Sequence, residues 1–126
     1  MKIAIRTTGA PKATGPFSQG IITDNLIFTA GQIHLSPEGI LMDGPMDQLV
    51  VRVMENLQAI LAEAEATFAD VVKTTIYVTD MSVYARINEV YGTYMHEPFP
   101  AREVVCVKEL PLGAKVEISM VAAKPK

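Results

Sequence analysis

A chain of 126 residues, 49% hydrophobic and 20% charged, suits one globular domain spanning 1–126, leaves little room for a second and reads as globular rather than disordered. A net charge of -3, 6% aromatic residues and no basic run argue against a phosphate-backbone binder, so no nucleic-acid partner is expected. The single cysteine, Cys106, rules out an internal disulfide and fits a reducing compartment; with no apolar signal core in "MKIAIRTTGAPKATG" and no bilayer-length apolar run, a cytoplasmic location is expected.

The first strand is predicted at 2–7, where "KIAIRT" alternates apolar and polar. The Gly- and Pro-dense stretch "GAPKATGPFSQG" (9–20) is a loop. "IITDNLIFTAGQIHL" (21–35) reads as two strands around a two-residue turn at Asp24-Asn25, and "SPEG" (36–39) as another turn. From Met46 to Ala66 the residues Leu49, Val50, Val53, Met54, Leu57, Ile60, Leu61 and Ala64 form one helical stripe, with Pro45 suited to the first turn. Gln48, Arg52, Glu55, Gln58 and Glu63 make the opposite, solvated face.

"VVKTTIYVT" (71–79) is strand-like, and a second helix is predicted from about Ser82 to His96, capped by Asp80 or Ser82 and stopped by Pro98 and Pro100. Its apolar stripe is Tyr84, Ile87, Val90, Tyr91 and Tyr94. Two last strands, 102–109 and 115–123, flank the turn "LPLG" (110–113). Within the first of them, "VVCV" (104–107) reads as buried on both faces.

This order, β-β-β-α-β-α-β-β, predicts an α+β layer with two helices on one face of a mixed sheet. Several strands ("GIIT", "NLIF", "VVCV") are nonetheless apolar on both sides, whereas a sheet with one wet face alternates. The second face therefore needs a cover, and another copy of the chain is the simplest one.

Nucleotide and serine-hydrolase motifs are absent. His34 and His96 have no ligand spacing around them, so no metal site is expected, and the methionines fall mostly in apolar stripes. Three residues stand out. Arg102 opens a strand, Glu117 interrupts "KVEISMVAA", and Asn88 edges the stripe of the second helix between Tyr84 and Tyr91.

Each has an ordinary structural explanation. Arg102 can pair with Glu103 or Glu109, Glu117 with Lys115 or Lys108, and Asn88 can bridge backbone. If the face away from the helices is covered, however, Glu117 lies desolvated on it, with a raised pKa suited to proton transfer. Arg102 then offers a rigid fork to a carboxylate. Were "LPLG" to close a hairpin, Glu117 would lie opposite Cys106, with Arg102 about 13 Å further along and out of contact.

The segment "PFPAREVVCVKELPLGAKVEISMVA" resembles the RidA/YjgF family through Pro100-Ala101-Arg102, Leu110-Pro111-Leu112-Gly113 and Val116-Glu117-Ile118. "GPFSQGI", "AGQI", "VVKTTIYVTDM" and "INEVYGTYM" match in order, so the likeness spans the chain. It implies a chorismate-mutase-like α+β fold, a homotrimer with inter-subunit clefts, and cofactor-free hydrolysis of 2-imino or 2-enamino acids to 2-oxo acids and ammonia. By position, Arg102 would bind the substrate carboxylate and Glu117 would orient the water. Asn88 and Gly31 would line the pocket beside Phe17 and Ala30.

Phe17 stands where tyrosine is common and Ala30 where serine is common, so two hydroxyls are missing. Cys106 sits two positions later than the cysteine of many members and is given no catalytic part. Two other readings stand beside the deaminase: a non-enzymatic trimer binding small molecules in the same clefts, and a ribonuclease or translation inhibitor, against which the acidic balance weighs.

Overall fold

The computed structural model describes residues 1–124. Its elements are β1 (Ile3–Ile5), β2 (Gly20–Thr23), β3 (Leu26–Thr29), β4 (Gln32–Ile33), α1 (Met46–Glu63), β5 (Val71–Val78), α2 (Tyr84–Tyr94), β6 (Ala101–Cys106) and β7 (Val116–Ala123). The seven strands form one sheet in the order β1-β2-β3-β7-β5-β6, with β4 also pairing to β7. All pairs are antiparallel except β5 with β6, which α2 joins as a parallel crossover. The α+β layer expected from the sequence is therefore present.

The core lies between the sheet and α1. Leu49, Val50, Val53, Met54, Leu57, Ile60 and Leu61 repeat at helical spacing, so one side of α1 is apolar. They close over Ile27 of β3, Ile76 and Val78 of β5, and Val116, Ile118, Met120 and Ala122 of β7, the inward residues of three facing strands. Asn56 is fully buried on this side of α1. Its amide donates to the Leu35 carbonyl (2.8 Å) and its oxygen accepts from Arg52 (3.1 Å), which holds the segment after β4 against the helix.

Pro45 is the N-cap, one position ahead of the first turn, and α1 ends at Glu63 rather than Ala66 because the chain turns left-handed at Glu65. The second helix is shorter than expected. Asp80 caps a 3-10 turn at Met81–Val83 before α2 begins, and Met95 is already extended.

Three expectations need correction. First, the segment 21–35 holds three strands. Between Phe28, paired with Val121, and Gln32, paired with Ile118, one side advances four residues while β7 advances three. The extra residue makes a bulge at Thr29–Gly31, where the Thr29 hydroxyl accepts from the Met120 N–H at 2.9 Å.

Second, "LPLG" closes no hairpin. β6 and β7 lie on opposite sides of β5, and Pro111–Gly113 is a 3-10 turn in the connection that passes over the end of β5. Pro and Gly mark a change of direction without specifying which strand is the next partner. Third, β6 is an edge strand, with Val105 and Cys106 exposed rather than buried on both faces. Its apolar run still marks a surface that water does not favour.

Candidate functional site

Strand register sorts the expected site residues by face. Ile33, Glu117, Tyr77 and Val105 lie side by side across β4, β7, β5 and β6. This row faces away from the helices, because its β7 neighbours Val116 and Ile118 are buried in the core. Arg102 belongs to the other set. It is level with Thr74, which is level with Met120, and all three lie on the helix side of the sheet. Within one chain Arg102 and Glu117 therefore leave opposite faces of the sheet and cannot share a ligand.

Glu117 sits between Ile33 and Tyr77, half-buried and without an ion-pair partner among the described residues, so neither Lys115 nor Lys108 neutralises it. Removal from water pushes its carboxyl pKa above the usual glutamate value. The bulge brings Gly31 directly against this carboxylate. Ala30, next to it, donates its N–H to the Gln19 carbonyl at 2.9 Å, tying the bulge to the loop that carries Phe17.

That loop is shaped by the buried Gln19 side chain. Its oxygen accepts from the Thr7 N–H (2.7 Å), and its amide donates to the carbonyls of Thr7 (3.0 Å) and Pro11 (2.8 Å). Phe17 is 57% exposed and lines a concavity of about 570 Å³ with Arg6, Thr7, Lys12 and Ser18, among others. Arg102, Asn88, Ala30, Gly31 and Glu117 do not line it, so Phe17 joins no pocket with them in a single chain.

On the helix side, Arg102 is half-buried at the open sheet edge. Its guanidinium lies 5.1 Å from the Tyr91 ring centroid and 5.7 Å from that of Tyr84, and its Nη2 donates to the Tyr84 hydroxyl at 3.0 Å. The Tyr91 hydroxyl donates to Thr74 Oγ1 at 3.0 Å, which fixes the ring beneath the arginine. Neither Glu103 nor Glu109 takes Arg102: Glu103 pairs with Lys73 at 2.9 Å. Asn88, one turn along α2, is the largest influence on the Tyr84 hydroxyl, lowering its pKa by hydrogen bonding ahead of the Arg102 charge. Asn88 and Arg102 therefore both act on the Tyr84 phenol.

His34, which has no metal-ligand spacing around it in the sequence, is buried and fully bonded. Its Nε2 accepts from the Lys115 N–H at 2.9 Å, so Nδ1 carries the proton and donates to the Met42 carbonyl at 2.7 Å. It pins the start of β7 two residues before Glu117. Tyr84 and Tyr91 share one apolar stripe in the sequence, yet only Tyr91 is buried; the stripe pattern does not separate a core tyrosine from one at the sheet edge. Among the described residues no group of three or more His, Cys, Asp or Glu side chains is placed to hold a metal ion, and no helix is long and apolar enough to cross a membrane.

Residues 7–124 match the family model described as Endoribonuclease L-PSP. The RutC family protein PYRAB12510 of Pyrococcus abyssi is 45% identical over 98% of each chain. The 2-iminobutanoate/2-iminopropanoate deaminase of Mus musculus is 40% identical over 95% of this chain and 90% of its own. Among solved structures, TM0215 of Thermotoga maritima superposes with a TM-score of 0.97 at 42% identity, covering 100% of both chains. Escherichia coli TdcF with bound serine gives 0.92 at 32% identity, covering 98% of this chain and 99% of its own.

Proposed function

This chain belongs to the Endoribonuclease L-PSP family, that of the RidA/YjgF proteins, and from that premise we propose that it hydrolyses 2-imino and 2-enamino acids to 2-oxo acids and ammonia. The observation that carries the reading is the division of the site. A pre-oriented guanidinium faces the helix side and a desolvated carboxylate the opposite side, so a complete site needs two copies. We assign the chain to a homotrimer in which Arg102 and Asn88 of one protomer meet Glu117, Gly31 and Ala30 of its neighbour in an inter-subunit cleft. The exposed apolar residues Phe28 and Val105, on the face opposite the helices, support such a cover. A cytoplasmic site of action suits substrates that decay quickly in water.

In this mechanism Arg102 grips the substrate carboxylate with two parallel N–H bonds. Glu117 accepts a proton from a water as its oxygen bonds to C2 of the imine, and the imine nitrogen takes up a proton from solvent. The carbinolamine then loses ammonia: Glu117 gives its proton to the amine, the C–N bond breaks, the hydroxyl proton returns to solvent, and C2 becomes a ketone. A glutamate with a raised pKa suits both halves of that cycle near neutral pH. The relative named as a 2-iminobutanoate/2-iminopropanoate deaminase and the relative with bound serine, an amino acid carboxylate, support the substrate class.

The test couples the protein to a threonine or serine dehydratase and follows 2-oxo acid release, with light scattering to give the oligomeric state. Wild type should accelerate release, and Arg102→Ala should lose about 100-fold while remaining trimeric. Equal rates for the two proteins would overturn the reading. A wild-type trimer that binds small carboxylates without accelerating release would be the non-enzymatic binder instead.

A further inference from the structure

We infer that Tyr84 is a positioning residue that selects which edge of the Arg102 guanidinium receives a carboxylate; this rests on the carboxylate-binding role proposed above. A guanidinium offers two bidentate forks, Nε with Nη2 and Nη1 with Nη2, and Nη2 is common to both. Nη2 has two N–H bonds, one on each fork. In this structure one of them is given to the Tyr84 hydroxyl at 3.0 Å. That commits one fork and leaves the other open.

The surroundings hold this arrangement. The Tyr91 ring supports the guanidinium at 5.1 Å and is itself tethered to Thr74. Tyr84 and Asn88 are one helical turn apart, and Asn88 acts on the same phenol as the arginine. A free arginine at a sheet edge samples many rotamers, and ordering it on binding weakens affinity. Tyr84 places that ordering in the unliganded protein, and it does so with a hydroxyl that a phenylalanine lacks.

The ligand used for the test is 2-oxobutanoate, a stable 2-oxo acid, titrated into the trimer and followed by NMR for wild type, Tyr84→Phe, Arg102→Lys and the double variant. Tyr84→Phe should weaken binding about 3–10-fold in the arginine background and leave it unchanged in the lysine background, since an ammonium has no fork to orient. The Arg102 Nε–Hε group of unliganded Tyr84→Phe should also become more mobile, and in the coupled assay KM should rise while kcat stays within about twofold.

An unchanged affinity and unchanged arginine mobility in Tyr84→Phe would overturn the inference. So would an equal loss in both backgrounds, because the hydroxyl would then act on the ligand or on folding directly. Absence of 2-oxobutanoate binding to wild type would overturn it as well. The predicted coupling in a protein that hydrolyses no imine would uphold Tyr84 while removing the deaminase reading.

Discussion

Gly31 lies against the carboxylate of Glu117 so closely that a Cβ built on the glycine would come within 2.8 Å of the glutamate Cδ and nearer still to Oε2. The requirement is for close approach, not for a left-handed backbone, since Gly31 is not among the residues with positive φ. Gly31→Ala must therefore push the carboxylate aside or open the bulge. Activity in the dehydratase-coupled assay should fall at least about tenfold, at a stability cost of about 1–3 kcal/mol by chemical denaturation. Full activity in Gly31→Ala would show that the carboxylate does not need its present position.

The opposite-face placement of Arg102 and Glu117 predicts complementation. Arg102→Ala and Glu117→Gln should each be inactive alone. After unfolding and refolding together in equal amounts, random trimers should recover about a quarter of wild-type activity, because that share of clefts combines an intact arginine with an intact glutamate. A site built within one chain would give no recovery.

Much of this architecture was legible in the residues. The stripe from Leu49 to Leu61 and the alternation from Val116 to Ala122 reflect burial on one side only, and burial follows directly from residue type. Glu117 was legible as an outward carboxylate for the same reason. What stayed hidden was pairing. Nothing local in "VVCVKELPLGAKVEI" says that β5 separates the two strands, because partner choice is set by the whole sheet. The bulge at Thr29–Gly31 was equally hidden, since it exists only relative to β7. The roles of His34 and Asn56 depend on carbonyls brought near by tertiary folding, which a motif search does not see.

Glu117 sets a pH dependence for activity. Burial holds its pKa above the ordinary glutamate value, so the basic form needed to accept a proton from water is reached later on rising pH. The acid limb of kcat/KM should therefore lie above the usual carboxylate range, and Glu117→Gln should lose about 100- to 1000-fold and abolish that limb. Its stability should run the other way. A carboxyl with a raised native pKa favours the folded state when protonated, and this advantage is lost as pH rises from the unfolded value through the folded one. Glu117→Gln should consequently be more stable than wild type at neutral pH and converge with it in acid. A variant that keeps the acid limb would assign that limb to another group.

His34 makes a second, opposite linkage. Removal from water lowers its pKa, with the Lys115 charge adding to the effect; protonation would also place a hydrogen on Nε2 facing the Lys115 N–H, donor against donor. A histidine with a depressed native pKa contributes fully above its unfolded value of about 6.5, and the contribution declines as pH falls through that value toward the folded one. His34→Leu should cost about 2 kcal/mol at pH 7.5, leaving the Lys115 N–H and the Met42 carbonyl unpaired. The gap between wild type and variant in urea midpoints should narrow below about pH 6.5. A gap that is constant with pH would mean that the native ring titrates as freely as the unfolded one.

Glu65 offers a test of backbone strain remote from the site. It follows α1 with φ 59°, in the left-handed region where glycine is usual. The closing bonds, Glu65 N–H to the Ala62 carbonyl and Ala66 N–H to the Leu61 carbonyl, both 2.9 Å, are those of a Schellman ending. A Cβ in that conformation costs roughly 1–2 kcal/mol, part of which glycine would return through its greater freedom in the unfolded chain. Glu65→Gly should therefore gain about 0.5–1 kcal/mol and raise Tm by a few degrees at fixed protein concentration. Glu65→Gln, which removes the charge and keeps the Cβ, should gain nothing. Equal gains in both variants would locate the effect in the carboxylate rather than in the backbone.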